Sequence, residues 1–164
     1  MRLLIILGAG GHTKQMLRLV ELLGPHHDYH YVVADYDAVS AHKIMRMGPV
    51  YRVVQPREKR QGVTEDPLTV VRKMPSALRQ AKTILSQSQP DAILGAGPSL
   101  QIPFALLSRL HRIPHIFIES ASKPERISLT GRLIYHLRLA DRVYLQWQHH
   151  LRRYPRARYA GRLL

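Results

Sequence analysis

The sequence predicts an α/β domain built around a doubly wound parallel sheet. Short apolar segments alternate with amphipathic ones along its 164 residues, as expected of strands joined by crossover helices. Two apolar segments run directly into glycine-rich turns, and right-handed crossovers place such turns on one edge of the sheet, where ligands bind. A chain of this length can form one hydrophobic core, so we expect residues 1–164 to be a single domain.

The first half of the chain opens with an entirely apolar segment, typical of a strand covered on both faces. The amphipathic segment after it has apolar residues at helical spacing and is stopped by Gly24-Pro25. The elements predicted here are a strand over Leu3–Leu7, a helix over Thr13–Leu23, a strand over His30–Ala34, a helix near Ala38–Met47, a strand over Val50–Val54, a long mobile loop over Gln55–Asp66 and a helix over Leu68–Leu85 kinked at Pro75.

The second half repeats the alternation. Ser99 precedes an apolar run at the place of a helix N-cap, where a hydroxyl satisfies a free backbone N–H. The elements predicted here are a strand over Asp91–Leu94, a helix over Leu100–Leu110, a strand over His115–Ile118, a helix over Leu129–Leu139, a strand over Arg142–Leu145, a short segment near Gln148–Arg153 and an extended piece at Tyr159.

Composition limits the function. The absence of cysteine rules out disulfides, thiol catalysis and cysteine-ligated metals, and fits a cytoplasmic protein. The N-terminal apolar run is too short for a signal peptide or a membrane span. The formal net charge of +14 indicates polyanionic partners, or simply a solvated basic surface. Aromatic residues do not alternate with the basic clusters, which argues against nucleic acid as the partner.

The turn after the first strand reads Gly8-Ala9-Gly10-Gly11-His12-Thr13. Glycines let the backbone approach a ligand closely, and the free N–H groups of the following helix favour a phosphate. Thr13 occupies the glycine position required both by the Walker A motif before its lysine and by the dinucleotide fingerprint, so neither motif is complete. A tight turn with nothing bound is the alternative, and Asp35 after the second strand keeps NAD as a weaker one.

A second glycine turn, Gly95-Ala96-Gly97-Pro98-Ser99, follows the fourth predicted strand. Two such turns flank the usual switch point of a doubly wound sheet and predict a crevice of diphosphate size; a capped turn without ligand is the alternative. The residues predicted to bind substrate or diphosphate are Gly8, Gly10, Gly11, Thr13, Gly95, Gly97, Ser99 and Ser120.

His12 and Glu119 are the predicted catalytic residues. His12 starts a helix, where the helix dipole favours the neutral imidazole that can accept a proton from an attacking hydroxyl. It can equally serve as a phosphate contact. Glu119 ends the fifth predicted strand and can accept a sugar hydroxyl or a proton; the alternative is a cap or an ion pair with Arg126. The other histidines lack ligand-like spacing, so we expect neither a metal nor a cofactor.

The helix over Leu68–Leu85 mixes apolar and basic residues, as do helices that lie on anionic membranes. The alternative is an ordinary covering helix with a charged outer face. The residues predicted to contact the membrane are Arg72, Lys73, Arg79 and Lys82.

These motifs together resemble the acceptor-binding subunit of the lipid-linked UDP-N-acetylglucosamine transferase, and its bacterial relatives in exopolysaccharide and capsule synthesis. The resemblance covers nearly the whole chain. It is carried by the segments Leu3–Thr13, Tyr31–Asp35, Ser40–Ile44, Pro90–Pro98, Ile118–Ser120 and Tyr159–Arg162. The order is also similar to the N-terminal half of the peptidoglycan lipid-linked N-acetylglucosaminyltransferase.

The resemblance implies a Rossmann-like N-terminal half of a GT-B glycosyltransferase. It implies that a separate small subunit holds most of the UDP-sugar site, and that a polyprenyl-diphosphate-linked sugar is the acceptor. Eukaryotic members carry a membrane anchor ahead of this region, whereas this chain begins with its first strand, so the resemblance implies a peripheral protein on the cytoplasmic face of the plasma membrane.

The C-terminal residues lead to a prediction about a partner subunit. The α/β pattern runs to Leu164 with no donor domain after it, so we expect a companion subunit. Leu163 and Leu164 have no later element to cover them and are predicted to dock that companion; packing onto this domain's own core is the alternative. The rival hypothesis for the whole chain is a stand-alone nucleotide- or nucleic-acid-binding Rossmann-like module.

Overall fold

The computed structural model describes residues 1–56, 59–60, 63–64 and 66–163, with only the backbone described for 59, 60, 63, 64 and 67. The strands are β1 (Arg2–Ile6), β2 (Asp28–Ala34), β3 (Val50–Val53), β4 (Lys59–Arg60), β5 (Val63–Thr64), β6 (Ala92–Ala96), β7 (His115–Ile118), β8 (Arg142–Leu145) and β9 (Arg158–Tyr159). The helices are α1 (Gly11–Leu23), α2 (Pro67–Ser88), α3 (Gln101–His111) and α4 (Leu129–His136), with 3₁₀ turns at Ala41–Lys43 and Gln148–Arg152.

Within these residues, seven strands form one parallel sheet in the order β3-β2-β1-β6-β7-β8-β9. The central pairing joins β1 to β6, with Leu3 opposite Ala92. The chain builds outward in one direction from β1 to β3 and in the other from β6 to β9, so the strand order reverses between β1 and β6. This confirms the predicted fold class, and ligands bind at such a reversal.

The apolar sequence of β1 follows from its place at the centre of the sheet. Leu3, Ile5 and Leu7 pack in a core cluster with α1, whereas Leu4 and Ile6 pack on the opposite face with α2 and α3. Successive strand residues point to opposite faces, so a strand covered on both sides is apolar at every position. A third cluster lies beneath β7, β8 and α4.

The helix predicted near Ala38–Met47 is wrong; only the 3₁₀ turn forms in this segment. The carboxylate of Asp37 accepts hydrogen bonds from the backbone N–H groups of Val39 and Ser40 at 3.1 and 2.9 Å, which directs the chain into a tight turn. Met45 and Met47 are 81% and 89% exposed, so the segment has no apolar face to bury as a helix.

Three smaller predictions also need correction. The segment Gln55–Asp66 contains the antiparallel pair β4–β5, although residues 57, 58, 61, 62 and 65 lie outside the described part. Helix α3 has Leu100 at its N-cap position without a side-chain cap, so Ser99 is not the capping residue. Helix α4 ends at His136, three residues early, because Arg138 adopts a left-handed φ of 52°.

A buried histidine makes the stability of this fold depend on pH. The ring of His115 lies 3.2 Å from Gln101 Oε1 and 3.3 Å from Ser108 Oγ. Burial lowers its pKa to about 4, although Asp141 opposes the shift. The unfolded chain therefore binds the proton more readily than the folded chain, so His115's contribution to stability is complete above about pH 6.5 and is lost as the pH falls towards 4.

We expect the free energy of unfolding to fall by roughly 3 kcal/mol through His115 between pH 6.5 and 4. Urea denaturation across this range measures it. His115→Gln keeps hydrogen-bonding groups but cannot take up the proton, so it should flatten this part of the profile. Identical pH profiles for the variant and the wild type would assign the acid sensitivity to other groups.

Candidate active site

The candidate site lies at the edge of the sheet where the strand order reverses. The turn at 8–13 leaves β1 and enters α1, and the turn at 95–99 leaves β6 and leads into α3. The carboxyl ends of parallel strands share one edge, so the two turns are neighbours, as the sequence predicts.

The two turns interlock. Gly97 has a φ of 73°, and a side chain placed on it would overlap the imidazole of His12. A side chain on Gly8 would overlap the ring of Pro98. The buried hydroxyl of Thr13 donates to the carbonyl of Gly8 and lies 2.6 Å from Ser40 Oγ. These glycines therefore allow close packing between the turns, which leaves no crevice between them at these positions.

Two cavities open on either side of the first turn. The cavity of about 890 Å³ is lined by the backbone of Gly10 and Gly11, the side of α1 and the C-terminal segment. The cavity of about 530 Å³, called here the His12 cavity, is lined by the following residues: Ala9, His12, Tyr36, Gln55, Pro98, Ser99, Lys123, Arg126, Ile127, Ser128, Leu129, Thr130 and Arg132.

The predicted phosphate-binding residues are thus divided between different places. Gly10 and Gly11 line the larger cavity, and Ser99 lines the His12 cavity. The remaining five line neither of these two cavities: Gly8, Thr13, Gly95, Gly97 and Ser120. All five are buried, so a ligand in either cavity meets other groups first.

His12 has the electrostatics of a proton acceptor. Burial is the main cause of its lowered pKa, and the positive charge of Lys123 adds to the effect. The imidazole is therefore neutral at physiological pH. Its Nδ1 is buried without a hydrogen-bond partner among the described residues, so packing against Gly97 fixes the ring.

Glu119 is buried behind the wall of the His12 cavity, and only 1% of its surface is exposed. One carboxylate oxygen accepts from the backbone N–H of Ser120 at 2.8 Å, and the other from the N–H and hydroxyl of Ser128 at 3.1 and 2.9 Å. Burial raises the pKa of this carboxyl, although these hydrogen bonds oppose the shift. The Ser128 hydroxyl in turn accepts from Gly131 N–H at 2.9 Å and caps α4. These contacts support the capping alternative; no ion pair with Arg126 is present among the described residues.

Sequence reasoning missed most of the residues that surround His12. Lys123 and Arg126 belong to the loop that follows β7, and two basic residues in the loop after a buried strand are the signal that could have placed them at this edge. Tyr36 and Gln55 follow β2 and β3, and the Tyr36 hydroxyl donates to Gln55 Oε1 at 3.1 Å. No pattern in the sequence indicates that pairing.

Gln146 connects the site to the end of the chain. Its amide nitrogen donates to Gln15 Oε1 at 3.0 Å and to the backbone oxygen of Glu119 at 2.8 Å, and its oxygen accepts from Leu163 N–H at 2.8 Å. Leu163 is partly buried against the core cluster beside α1. This supports the alternative that Leu163 packs on its own domain, while Leu164 lies outside the described residues.

The predicted membrane-contact residues lie on α2. Arg72, Arg79 and Lys82 are exposed, whereas Lys73 is half-buried. Leu68 and Val71, on the first turns of the same helix, are 56% and 67% exposed. The described helices include none with the length and apolarity to cross a bilayer. The described side chains likewise contain no cluster of three or more metal-ligating groups.

Solved structures share this architecture. MurG from Acinetobacter baumannii superposes with a TM-score of 0.62 at 20% identity, over 88% of this chain and 40% of MurG. The glycosyltransferase of kitacinnamycin gives 0.64 at 14% identity, over 98% of this chain and 51% of that one. The chain thus spans two fifths to one half of these proteins. This chain therefore has the Rossmann-like α/β fold that each of these GT-B proteins contains over part of its length.

Sequence comparison gives the family. The model described as "Oligosaccharide biosynthesis protein Alg14 like" matches residues 3–163, so the chain belongs to that family. A relative from Eremothecium gossypii, named UDP-N-acetylglucosamine transferase subunit ALG14, is 32% identical over 98% of this chain and 79% of its own length. The rat protein of the same name is 28% identical over 99% and 82%. Membership favours the glycosyltransferase hypothesis over a stand-alone nucleotide-binding module.

Proposed function

We propose that this chain is the acceptor-binding subunit of a two-component glycosyltransferase. The observation that carries the proposal is the family match over residues 3–163, with relatives named as subunits of a UDP-N-acetylglucosamine transferase. A separate, smaller subunit holds most of the UDP-sugar site. The assembled enzyme transfers GlcNAc from UDP-GlcNAc to a polyprenyl-diphosphate-linked saccharide, in lipid-linked oligosaccharide or polysaccharide biosynthesis.

In this proposal His12 is the general base. Its neutral imidazole accepts the proton of the acceptor hydroxyl while that oxygen bonds to the anomeric carbon of the donor sugar and UDP departs with the electrons of the broken bond. A base must be unprotonated and face the ligand. The lowered pKa of His12 and its place on the cavity wall support both conditions.

Glu119 then acts as a positioning residue. Its three hydrogen bonds hold Ser120 and Ser128, the residues that flank the loop carrying Lys123 and Arg126. Since those two cations line the His12 cavity, the carboxylate supports the site by holding the loop that carries them. A direct contact between Glu119 and the acceptor hydroxyl stays a prediction.

The test of the proposed function is reconstitution. This chain alone should transfer no sugar from UDP-GlcNAc to a short-chain polyprenyl-diphosphate-linked GlcNAc acceptor. Adding the separately purified companion should restore transfer, because the donor site is completed only then. Turnover by this polypeptide without any companion would overturn the subunit proposal. Transfer from a different UDP-sugar would instead correct the sugar.

We also propose that the exposed face of α2 binds the cytoplasmic surface of an anionic membrane. Leu68 and Val71 supply apolar contact, and Arg72, Arg79 and Lys82 supply charge. Each basic residue near such a surface contributes about 1 kcal/mol, so reversing all three to Glu should weaken liposome binding by roughly a hundredfold or more.

Sedimentation with phosphatidylserine-containing liposomes at low salt measures this binding. The matched control reverses Arg109, Arg142 and Arg152, which are exposed on other elements. It changes the net charge by the same amount and should retain most of the binding. If the two triple variants lose binding equally, α2 is not the membrane face.

A further inference from the structure

Three arginines from different elements converge beside the His12 cavity. Arg126 precedes α4, Arg132 lies on α4, and Arg153 follows the 3₁₀ turn at Gln148–Arg152. They line a cavity of about 360 Å³ together with Ile127, His136 and Tyr154. Arg126 and Arg132 also line the His12 cavity, so the two cavities adjoin and share these arginines.

The charges of this arginine cluster are not balanced. None of the described residues that line either cavity carries a carboxylate. The three guanidinium groups make no ion pair or hydrogen bond with another residue of the described chain. All three side chains are exposed and accessible to a ligand, and a guanidinium presents its donors in a planar fork that matches phosphate oxygens. The arrangement therefore suits a bound anion with several oxygens.

We propose that Arg126 and Arg132, assisted by Arg153, bind the diphosphate of the acceptor. The inference rests on the proposed function, in which the reacting hydroxyl lies at His12. That hydroxyl and the diphosphate belong to the same acceptor molecule, so the groups that bind them must lie close together. The arginine cluster meets this condition, because Arg126 and Arg132 also line the His12 cavity. The gap between the two glycine turns offers no such space at Gly97 and Gly8, since His12 and Pro98 fill the positions beside them.

Calorimetric titration with inorganic pyrophosphate at low salt tests the inference on the full chain. The double variant Arg126→Gln, Arg132→Gln should raise Kd at least tenfold, and Arg153→Gln should raise it less. The matched control is Lys14→Gln, Lys43→Gln, which removes two positive charges from the larger cavity and should change Kd less than twofold. Arg126→Lys, Arg132→Lys keeps the charge without the fork and should fall between the wild type and the Gln variant.

An unchanged Kd in the arginine double variant, or an equal loss in the lysine control, would overturn the inference. Melting temperatures verify that the variants fold. In the assembled enzyme, the arginine double variant should raise KM for the lipid-linked acceptor and leave KM for UDP-GlcNAc unchanged; the reverse result assigns the cluster to the donor's diphosphate and also overturns it. If the assembled pair transfers no GlcNAc, the proposed function fails, and pyrophosphate binding still decides whether the cluster is a diphosphate site.

Discussion

Replacing His12 with alanine should lower kcat of the assembled enzyme by about a hundredfold or more, the usual contribution of a positioned general base. The imidazole is partly buried, neutral and part of the lining of the His12 cavity, while the hydrogen bonds that hold the neighbouring loop come from Glu119 and do not involve it. Acceptor binding should therefore survive the change. Steady-state kinetics with varied acceptor separate the two parameters.

The competing role predicts a different pattern. If His12 only contacts phosphate, the acceptor KM should rise while kcat changes little. His42→Ala is the matched control, because this histidine is exposed in the 3₁₀ turn at Ala41–Lys43, and both parameters should stay at wild-type values. The pH profile adds a second readout. Since the pKa of His12 is lowered from 6.5, kcat/KM should decline only below that pH.

Gly97→Ala should abolish nearly all activity without any change to a charged or polar group. The added methyl group would occupy the space of the His12 imidazole, so the ring must leave its position. The backbone φ of 73° also costs an alanine about 1–2 kcal/mol. We therefore expect kcat as low as in His12→Ala, together with a lower melting temperature.

The variant Gly24→Ala separates the effect of backbone strain from the effect of displacing the His12 ring. Gly24 has a similar φ of 81° at the end of α1, and a side chain there meets no atom within 4 Å. This variant should lose comparable stability and keep its activity. Combining Gly97→Ala with His12→Ala should lower kcat no further than either change alone, because both remove the same imidazole. An additive loss would show that Gly97 serves the reaction independently of His12.

The sequence predicts the strands far better than the site. β7 and β8 match their predicted bounds, because each contains a short apolar run that ends directly before a polar residue, Glu119 or Gln146. The segment Ala38–Met47 fails as a helix because its turn is set by the side chain of Asp37, a local hydrogen bond that apolar periodicity does not reveal.

At the site, the sequence places His12 correctly at the switch point, since position along a parallel sheet follows from chain order. It does not reveal what fills the space beside each glycine. Gly97 and Gly8 look alike in sequence whether a phosphate or a neighbouring ring occupies the gap, and here rings occupy both. The arginine cluster cannot be predicted from the sequence for a related reason. Its members lie up to 27 positions apart and come together only through the packing of α4.

The central pairing of β1 with β6 also determines the stage of folding at which the site forms. Leu3 and Ala92 become neighbours only after the chain between them has been made, whereas β1 pairs with β2 through a much shorter connection. Long-range contacts of this kind slow folding, because the entropy of closing the loop is lost before the contacts form. His12 follows β1, whereas Gly97, which packs against its ring, follows β6, so the two residues lie on opposite sides of this strand pairing. The arrangement around His12 is therefore complete only once β6 has paired with β1.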